Sequence, residues 1–366
     1  MKTKILFVAT EPASGMIPFA CNIINALNKS GQFDIYGIFV NNDKKSFKDG
    51  LDVDILFKAK FIDMPKLKYR KAIVKMFPFK IIANIRLLCK QESISYIHYI
   101  TGEFTLCWMT FLFLRKYKLC YTVHNLHPHN YGSLNIKEWF IDKYINCGNW
   151  MNMGCIDMLT TNSLSQYNEL KEMYPYKRIV LAPFPTLVTK KIKEGLKIVP
   201  ELKGVSNYIL FFGSVSYYKG ADLLSEACNR LNPSRTLVVA GKGMQLFQTD
   251  YSEKRIRINR YIDDSEIKDL FERASVVVYP YRSATMSGVL SLAYYFKKKV
   301  IVSSIPFFIE NIHVSTTVFE NGNINDLVVK IGDSLNDSSE YCISDYYNSK
   351  YSEIELVKSY LNLYKE

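Results

Sequence analysis

The sequence lacks paired cysteines. Its eight cysteines, at 21, 89, 107, 120, 147, 155, 228 and 342, are scattered and form no C-x-x-C. That argues against a disulfide frame or a zinc ribbon and fits small buried thiols in a reducing compartment. Long apolar runs are also absent. The longest after the first strand, FTLCWMTFLFL at 104–114, is well short of the roughly 18 residues a spanning helix needs. The opening MKTKILFVATEP lacks the length and cleavage pattern of a signal peptide and is expected to begin with a buried strand. No G-x-x-x-x-G-K-[ST] is present, and no G-x-G-x-x-G follows the first strand; GKG at 241–243 lacks the third glycine. A P-loop is thereby excluded and a nicotinamide site disfavoured. Nucleic-acid signatures are missing too. Acid is scarce in one stretch. Lys58 to Lys90 hold ten Lys or Arg and one acid, Asp63, interleaved with Phe61, Met64, Leu67, Phe77 and Phe79. Such a stretch suits an anionic membrane, and it equally suits a solvated helix face over a buried stripe.

What is present is a repeated strand–helix rhythm. At 366 residues the chain is expected to build two cores. KILFVAT (4–10), FDIYGIFV (33–40), YIHYI (96–100) and LCYTVHN (119–125) read as buried parallel strands between helical patterns. The rhythm restarts with YILFFG (208–213), TLVVAG (236–241), RIRINRYI (255–262), SVVVYP (275–280) and KVIVSS (299–304). The fold class is α/β, with two facing doubly wound domains. The expected boundaries are 1–187, a charged linker at 188–206, 207–345, and a C-terminal helix at 346–366 packing back on the first domain. Ser352-x-x-Glu355 has the spacing of a capping box for that helix.

Ligands of parallel sheets bind beyond the carboxyl ends of the strands. Four stretches carry residues suited to chemistry. In FFGSVSYYKGADLL (211–224), Lys219-Gly220 precedes a helix, so Lys219 can meet a phosphate or simply face water. In PYRSATMSGVLSLAYYF (280–296), Thr285, Ser287 and Gly288 open a helix whose first amides are unpaired; an anion would fit there, as would a plain N-cap. TVHNLHPHN places His124, His127 and His129 after a strand. Its spacing supplies no helical metal pair, and a His at a strand end suits polar contact or proton transfer. Asp52-Val53-Asp54 reads as solvent-facing alternation.

With these residues in view, the chain resembles the two-domain GT-B glycosyltransferases, specifically the retaining family 4. FFGSVSYYKGADLL is similar to the family's Gly-Arg-x-x-x-x-Lys-Gly loop. INRYIDDSEIKDLFERASVVVYPYRSATMSGV resembles its donor-site run, and TVHNLHPHN its histidine loop. The resemblance implies a nucleotide-diphosphate sugar, of UDP or GDP type, and no metal or cofactor. Lys219 would pair with the donor phosphates, and Ser287, Gly288 and Val289 would offer amides with Thr285 nearby. Arg260, Tyr261 and Ile262 would flank the base, and His124 would contact the sugar. On the acceptor side it implies Ser14, Gly15, His98, His127 and His129.

Three departures stand out. Ser214 replaces the family's arginine. Its paired glutamates are missing around 283–292. Met286 stands where related sequences carry Gln. Arg282 is expected to take over part of the lost acid's role at the donor. The function implied is transfer of a hexosyl group to a hydroxyl with retention, in bacterial surface polysaccharide or glycoconjugate assembly. The expected partners are a glycan or lipid-linked acceptor and an anionic membrane touched through 58–90, with the protein cytoplasmic at the inner face of the plasma membrane. The lost acids favour an alternative, a silent nucleotide- or sugar-binding protein or partner subunit.

Overall fold

The apolar runs become two all-parallel sheets. The computed structural model describes residues 2–12, 15–41, 46–67, 74, 77–101, 106–126, 136–231, 235–245, 254–284, 286–337 and 343–365. The chain divides into two units: Met1–Pro185 with Ser352–Glu366, and Thr186–Tyr351.

The first unit holds β1 (Thr3–Ala9), β2 (Phe33–Asn41), β3 (Ala59–Asp63), β4 (Tyr96–Tyr99), β5 (Lys118–Thr122), β6 (Met158–Thr161) and β7 (Arg178–Leu181). Their order is β3-β2-β1-β4-β5-β6-β7. Ile5, Phe7, Ile38 and Ile97 are fully buried, as expected of strands covered on both faces. The strand signals of β3, β6 and β7 were too short to stand out; β3 also sits inside the basic stretch. Among the described residues no helix is long and apolar enough to cross a membrane.

The second unit holds β8 (Tyr208–Phe212), β9 (Leu237–Ala240), β10 (Arg255–Ile258), β11 (Ala274–Tyr279), β12 (Lys299–Ser303) and β13 (Thr317–Phe319). Their order is β10-β9-β8-β11-β12-β13. In each sheet the order reverses once, between β1 and β4 and between β8 and β11. A crevice at such a switch point is where parallel sheets take ligands.

The stretch read as a linker is packed. Val188, Ile192, Val199 and Leu202 are buried in the second unit's core. Thr189 caps the short helix Lys190–Lys193 by accepting from the Ile192 amide at 3.2 Å. The charges of 188–206 lie between these apolar positions and mask them in a one-dimensional reading.

The last helix, Glu353–Tyr364, belongs to the first unit and buries Leu356, Tyr360, Leu363 and Tyr364. Tyr364 packs edge-on to Phe33 and Tyr96. Arg178 donates to the carbonyls of Leu363 and Lys365 and so satisfies part of the open helix end. Ser352 is the N-cap, but its side chain makes no cap bond, so the expected capping box does not form. A capping box forms instead at Asp263 and Glu266, which start the helix Asp264–Glu272.

Candidate active site

In the second unit the switch point is built by the loops leaving β8 and β11. Strand β8 ends at Gly213, whose φ is 132°. The loop then turns through Tyr217–Lys219, and Gly220 adopts φ 68°. A side chain at Gly220 would put its Cβ 2.0 Å from the Pro280 carbonyl oxygen. Only glycine therefore lets the two loops touch and delivers Lys219 to the strand ends.

Lys219 Nζ donates to Ser214 Oγ at 3.0 Å. It also lies 5.4 Å from the centre of the Tyr281 ring and 5.9 Å from that of Tyr218. A Cβ placed on Gly213 would be 3.5 Å from Lys219 Nζ, 3.9 Å from Val289 Cγ1 and 4.0 Å from Tyr281 Oη. An ammonium, a bare backbone, a phenol and a helix start thus converge on one small space. Among the described residues no carboxylate pairs with the ammonium, and burial holds its pKa down at about 8. Tyr281 is 1 % exposed; its buried hydroxyl makes no close hydrogen bond among the described residues, and the Ser287 side chain is its polar neighbour.

The helix Val289–Tyr295 starts at Gly288 without a side-chain cap. Ser291 Oγ accepts from the Leu187 amide and donates to the Gly288 carbonyl, at 3.0 and 2.6 Å, which fixes the helix start. Among the described residues the amides of Ser287, Gly288 and Val289 have no acceptor. Thr285 lies outside the described residues.

Arg282 does not stand free for a donor. Its guanidinium holds Asp222 at 2.9 and 2.6 Å, donates to the Tyr217 carbonyl at 2.7 Å and lies 4.1 Å from the centre of the Tyr217 ring. The Arg282 amide also bonds the Tyr218 carbonyl. These bonds strap the lysine loop to the β11 loop. Arg260 is likewise committed, to Glu201 at 2.7 and 2.8 Å and to Glu266 at 2.8 Å. Tyr261 is half-exposed and Ile262 buried. These three follow β10, two strands from β8.

In the first unit the switch point lies between β1 and β4. Thr101 Oγ1 accepts from the amides of Thr10 and Glu11, at 3.1 and 3.4 Å. His124, after β5, donates from Nε2 to the Ile100 carbonyl at 2.8 Å. Its ring meets Phe19 edge-on at 4.8 Å. This leaves Nδ1 as a buried lone pair with no partner among the described residues. Burial lowers the pKa to about 4, so the ring is neutral near pH 7. Gly15 opens the helix Met16–Lys29 and has open space above its Cα. Ser14, His127 and His129 lie outside the described residues.

His98 is fully buried inside the sheet–helix layer. Its Nδ1 bonds the Tyr364 hydroxyl, its Nε2 pairs with Thr122 Oγ1 at 2.8 Å, and Tyr360 stacks on its ring. No ring nitrogen is left for an acceptor, and burial pushes its pKa down to about 3.

Sequence reasoning passed over Tyr281 and Asp222. Neither carries a local signal: Tyr281 follows Pro280 in a loop, and Asp222 lies in the first turn of a helix. Only the β8–β11 adjacency gives them a place. Among the described residues no group of three His, Cys, Asp or Glu is placed to hold a metal.

Residues 206–337 match the family model described as Glycosyl transferases group 1. No curated protein sequence matches the chain. Several solved structures share its fold. Alr3699/HepE of Anabaena, solved with UDP and glucose, aligns over 98 % of both chains at 13 % identity with a TM-score of 0.70. The lipopolysaccharide outer core galactosyltransferase WaaB aligns over 99 % of both chains at 14 % identity with a TM-score of 0.59. A putative UDP-N-acetylglucosamine 2-epimerase from Listeria monocytogenes aligns over 99 % of this chain and 95 % of its own, at 13 % identity and a TM-score of 0.59. The architecture is therefore that of the GT-B fold, with two Rossmann-like domains.

Proposed function

We propose, on the premise that residues 206–337 form a Glycosyl transferases group 1 domain, that the chain transfers a hexosyl group from a nucleoside-diphosphate sugar to a hydroxyl acceptor. The fold alone does not select this chemistry, because a putative epimerase shares it. The observation that carries the reading is the convergence of Lys219, Gly213, Tyr281 and Val289 at the β8–β11 switch point. An ammonium and helix-start amides that have, among the described residues, neither a carboxylate nor an acceptor favour a dianionic ligand over a neutral one.

The chemistry needs charge stabilised as the sugar–phosphate bond breaks. Negative charge grows on the leaving diphosphate. Lys219, the amides of Ser287, Gly288 and Val289, and the Tyr281 hydroxyl would receive it. These groups supply what a cation would otherwise provide, which favours a metal-independent reaction. His124, neutral and with Nδ1 unpaired, is suited to accept a hydrogen bond from a sugar hydroxyl. Arg282 acts through the lysine loop rather than on the donor. Retention of configuration follows the family resemblance. The UDP and glucose held by HepE favour a UDP-hexose, and WaaB favours a surface glycan as acceptor. The basic stretch 58–90 favours an acceptor held at the cytoplasmic face of a membrane.

Thermal shift against UDP, GDP and ADP, followed by UDP release from UDP-hexoses, tests the reading. UDP is expected to raise Tm, and Lys219→Ala to remove most of the shift without altering the circular dichroism. Absence of a shift with every diphosphate at millimolar concentration would overturn it. The missing glutamates support a second reading, a silent nucleotide-binding subunit. That reading predicts the UDP shift with no turnover on any donor.

A further inference from the structure

Two neighbouring segments of the first unit expose an unusual surface. The helix Phe79–Glu92, with Phe77 before it, and the helix Cys107–Phe113, with its following turn, lie side by side. Phe77, Phe79, Phe111 and Leu112 are between 45 % and 59 % exposed. Trp108 stands edge-on to Phe77 and Phe79 at 6.1 and 6.2 Å, tying the two segments together. The Arg115 guanidinium lies 5.0 Å from the centre of the Phe111 ring.

Basic residues dominate this surface, and the one acid of these two segments, Glu92 at the end of the first helix, accepts from the Tyr36 hydroxyl at 2.9 Å. Residues 77–91 and 106–117 contain Lys80, Arg86, Lys90, Arg115 and Lys116 and no acid. All five are exposed, and among the described residues none makes an ion pair. Arg86, Lys90 and Lys116 come together around one open pocket floored by Ala83, Leu87 and Tyr117. The helix Ile136–Cys155 packs on Cys107–Phe113 and brings exposed Trp139, Phe140 and Trp150.

A water-facing surface has no use for grouped aromatic rings, and exposed apolar patches of this kind mark a contact. The rings and the long cationic side chains together select its partner. Phe, Leu and Trp side chains enter the boundary between headgroups and acyl chains. Lys and Arg stems lie along that apolar layer while their charges reach lipid phosphates. A pocket with three cations and no acid suits a phosphate headgroup.

We propose that this face docks the first unit on an anionic lipid bilayer, with a headgroup phosphate among Arg86, Lys90 and Lys116, and Phe111 and Leu112 entering the headgroup layer. The inference deepens the membrane part of the proposed function and rests on it for its purpose, since an acceptor held in a membrane needs an enzyme held beside it. It assigns the contact to two segments, one of them, 106–117, outside the basic stretch.

Co-sedimentation of the full chain with vesicles of phosphatidylcholine, alone or with 30 mol % phosphatidylglycerol, at ~0.1 M salt tests it. Binding is expected to the mixed vesicles and at least ~10-fold weaker to the neutral ones. The triple variant Arg86→Glu/Lys90→Glu/Lys116→Glu should lose binding on the order of 100-fold. Phe111→Ser/Leu112→Ser should lose roughly 10-fold or more. The control Lys193→Glu/Lys197→Glu/Lys203→Glu, with the same change of net charge in the second unit, should bind as the unmodified chain does. Equal binding to both vesicles, full retention by the docking variants, or equal loss in the control would overturn the proposal. So would a dimer in sedimentation velocity that Phe111→Ser/Leu112→Ser dissociates while vesicles go unbound. The UDP thermal shift, read on the same variants, keeps the two readings apart. Vesicle binding without a UDP shift would remove the donor reading and leave the docking face standing.

Discussion

Arg282 grips Asp222 with both terminal nitrogens, at 2.9 and 2.6 Å, and so joins the loop after β11 to the helix that follows Lys219. The pair is only about a quarter exposed and two-pronged, which makes it stronger than a typical surface ion pair. Its position matters more than its strength. Through the Tyr217 carbonyl and the Tyr218 carbonyl, the same residue sets where the lysine loop ends.

Arg282→Ala and Asp222→Asn are each expected to lower donor turnover roughly 10-fold or more, by letting Lys219 drift. Each should cost about 1–2 kcal/mol of stability. Because both cut one strap, the double variant should be little worse than either single one. Additive losses of turnover in the cycle would argue that Arg282 acts on the donor itself.

Lys219 gives the site a pH signature. Its pKa is lowered to about 8 by burial, so it is mostly charged near pH 7 and loses its charge as pH rises through about 8. In the free protein the sign for stability is opposite to that of a salt-bridged lysine. Holding the buried charge costs stability below pH 8, and the cost fades between about 8 and the ordinary 10.5. UDP affinity, measured by calorimetry, should stay level from pH 7 to 7.5 and then fall by up to ~10-fold per pH unit well above 8. Lys219→Arg, which keeps its charge, should bind more weakly at pH 7 but show no such fall. An identical pH profile in the arginine variant would remove Lys219 from the effect.

Tyr281→Phe separates binding from folding. Among the described residues the buried hydroxyl makes no close hydrogen bond and has only the Ser287 side chain as a polar neighbour, so its removal should change stability by no more than ~1 kcal/mol. The same change should weaken UDP binding about 5- to 10-fold if the hydroxyl meets a phosphate oxygen. Unchanged UDP affinity with raised Tm would mark the hydroxyl as a bystander.

Acid should loosen the first unit first. His98 and His124 are held neutral, with pKa values of about 3 and about 4 against an ordinary 6.5. Both lowered values act in one direction. The unfolded chain takes up protons below pH 6.5 that the folded histidines refuse, so stability falls as pH drops from 6.5 toward 4. His98→Phe should flatten that fall in a pH series of Tm, although it loses the bonds to Tyr364 and Thr122 at neutral pH. The same acid slope in this variant would rule His98 out as a source.

The sequence by itself determined the two sheets, because a strand buried on both faces must be continuously apolar, and ILFVA, YILFF and SVVVY could be little else. It also determined the lysine loop, because Gly220 is needed where two loops press together. Tertiary structure decided the partners. Tyr281 and Lys219 are 62 positions apart in the chain and meet because β8 and β11 are neighbours. Arg282 was open to a donor role until Asp222 was found beside it. His98 lies within β4 and His124 just past β5; the last helix supplies a partner to the first, and among the described residues Nδ1 of the second has none. Local pattern sets which residues can be strand or turn. Which side chain is left with an unanswered charge or lone pair depends on packing from distant segments, and it is those unanswered groups that form the candidate site.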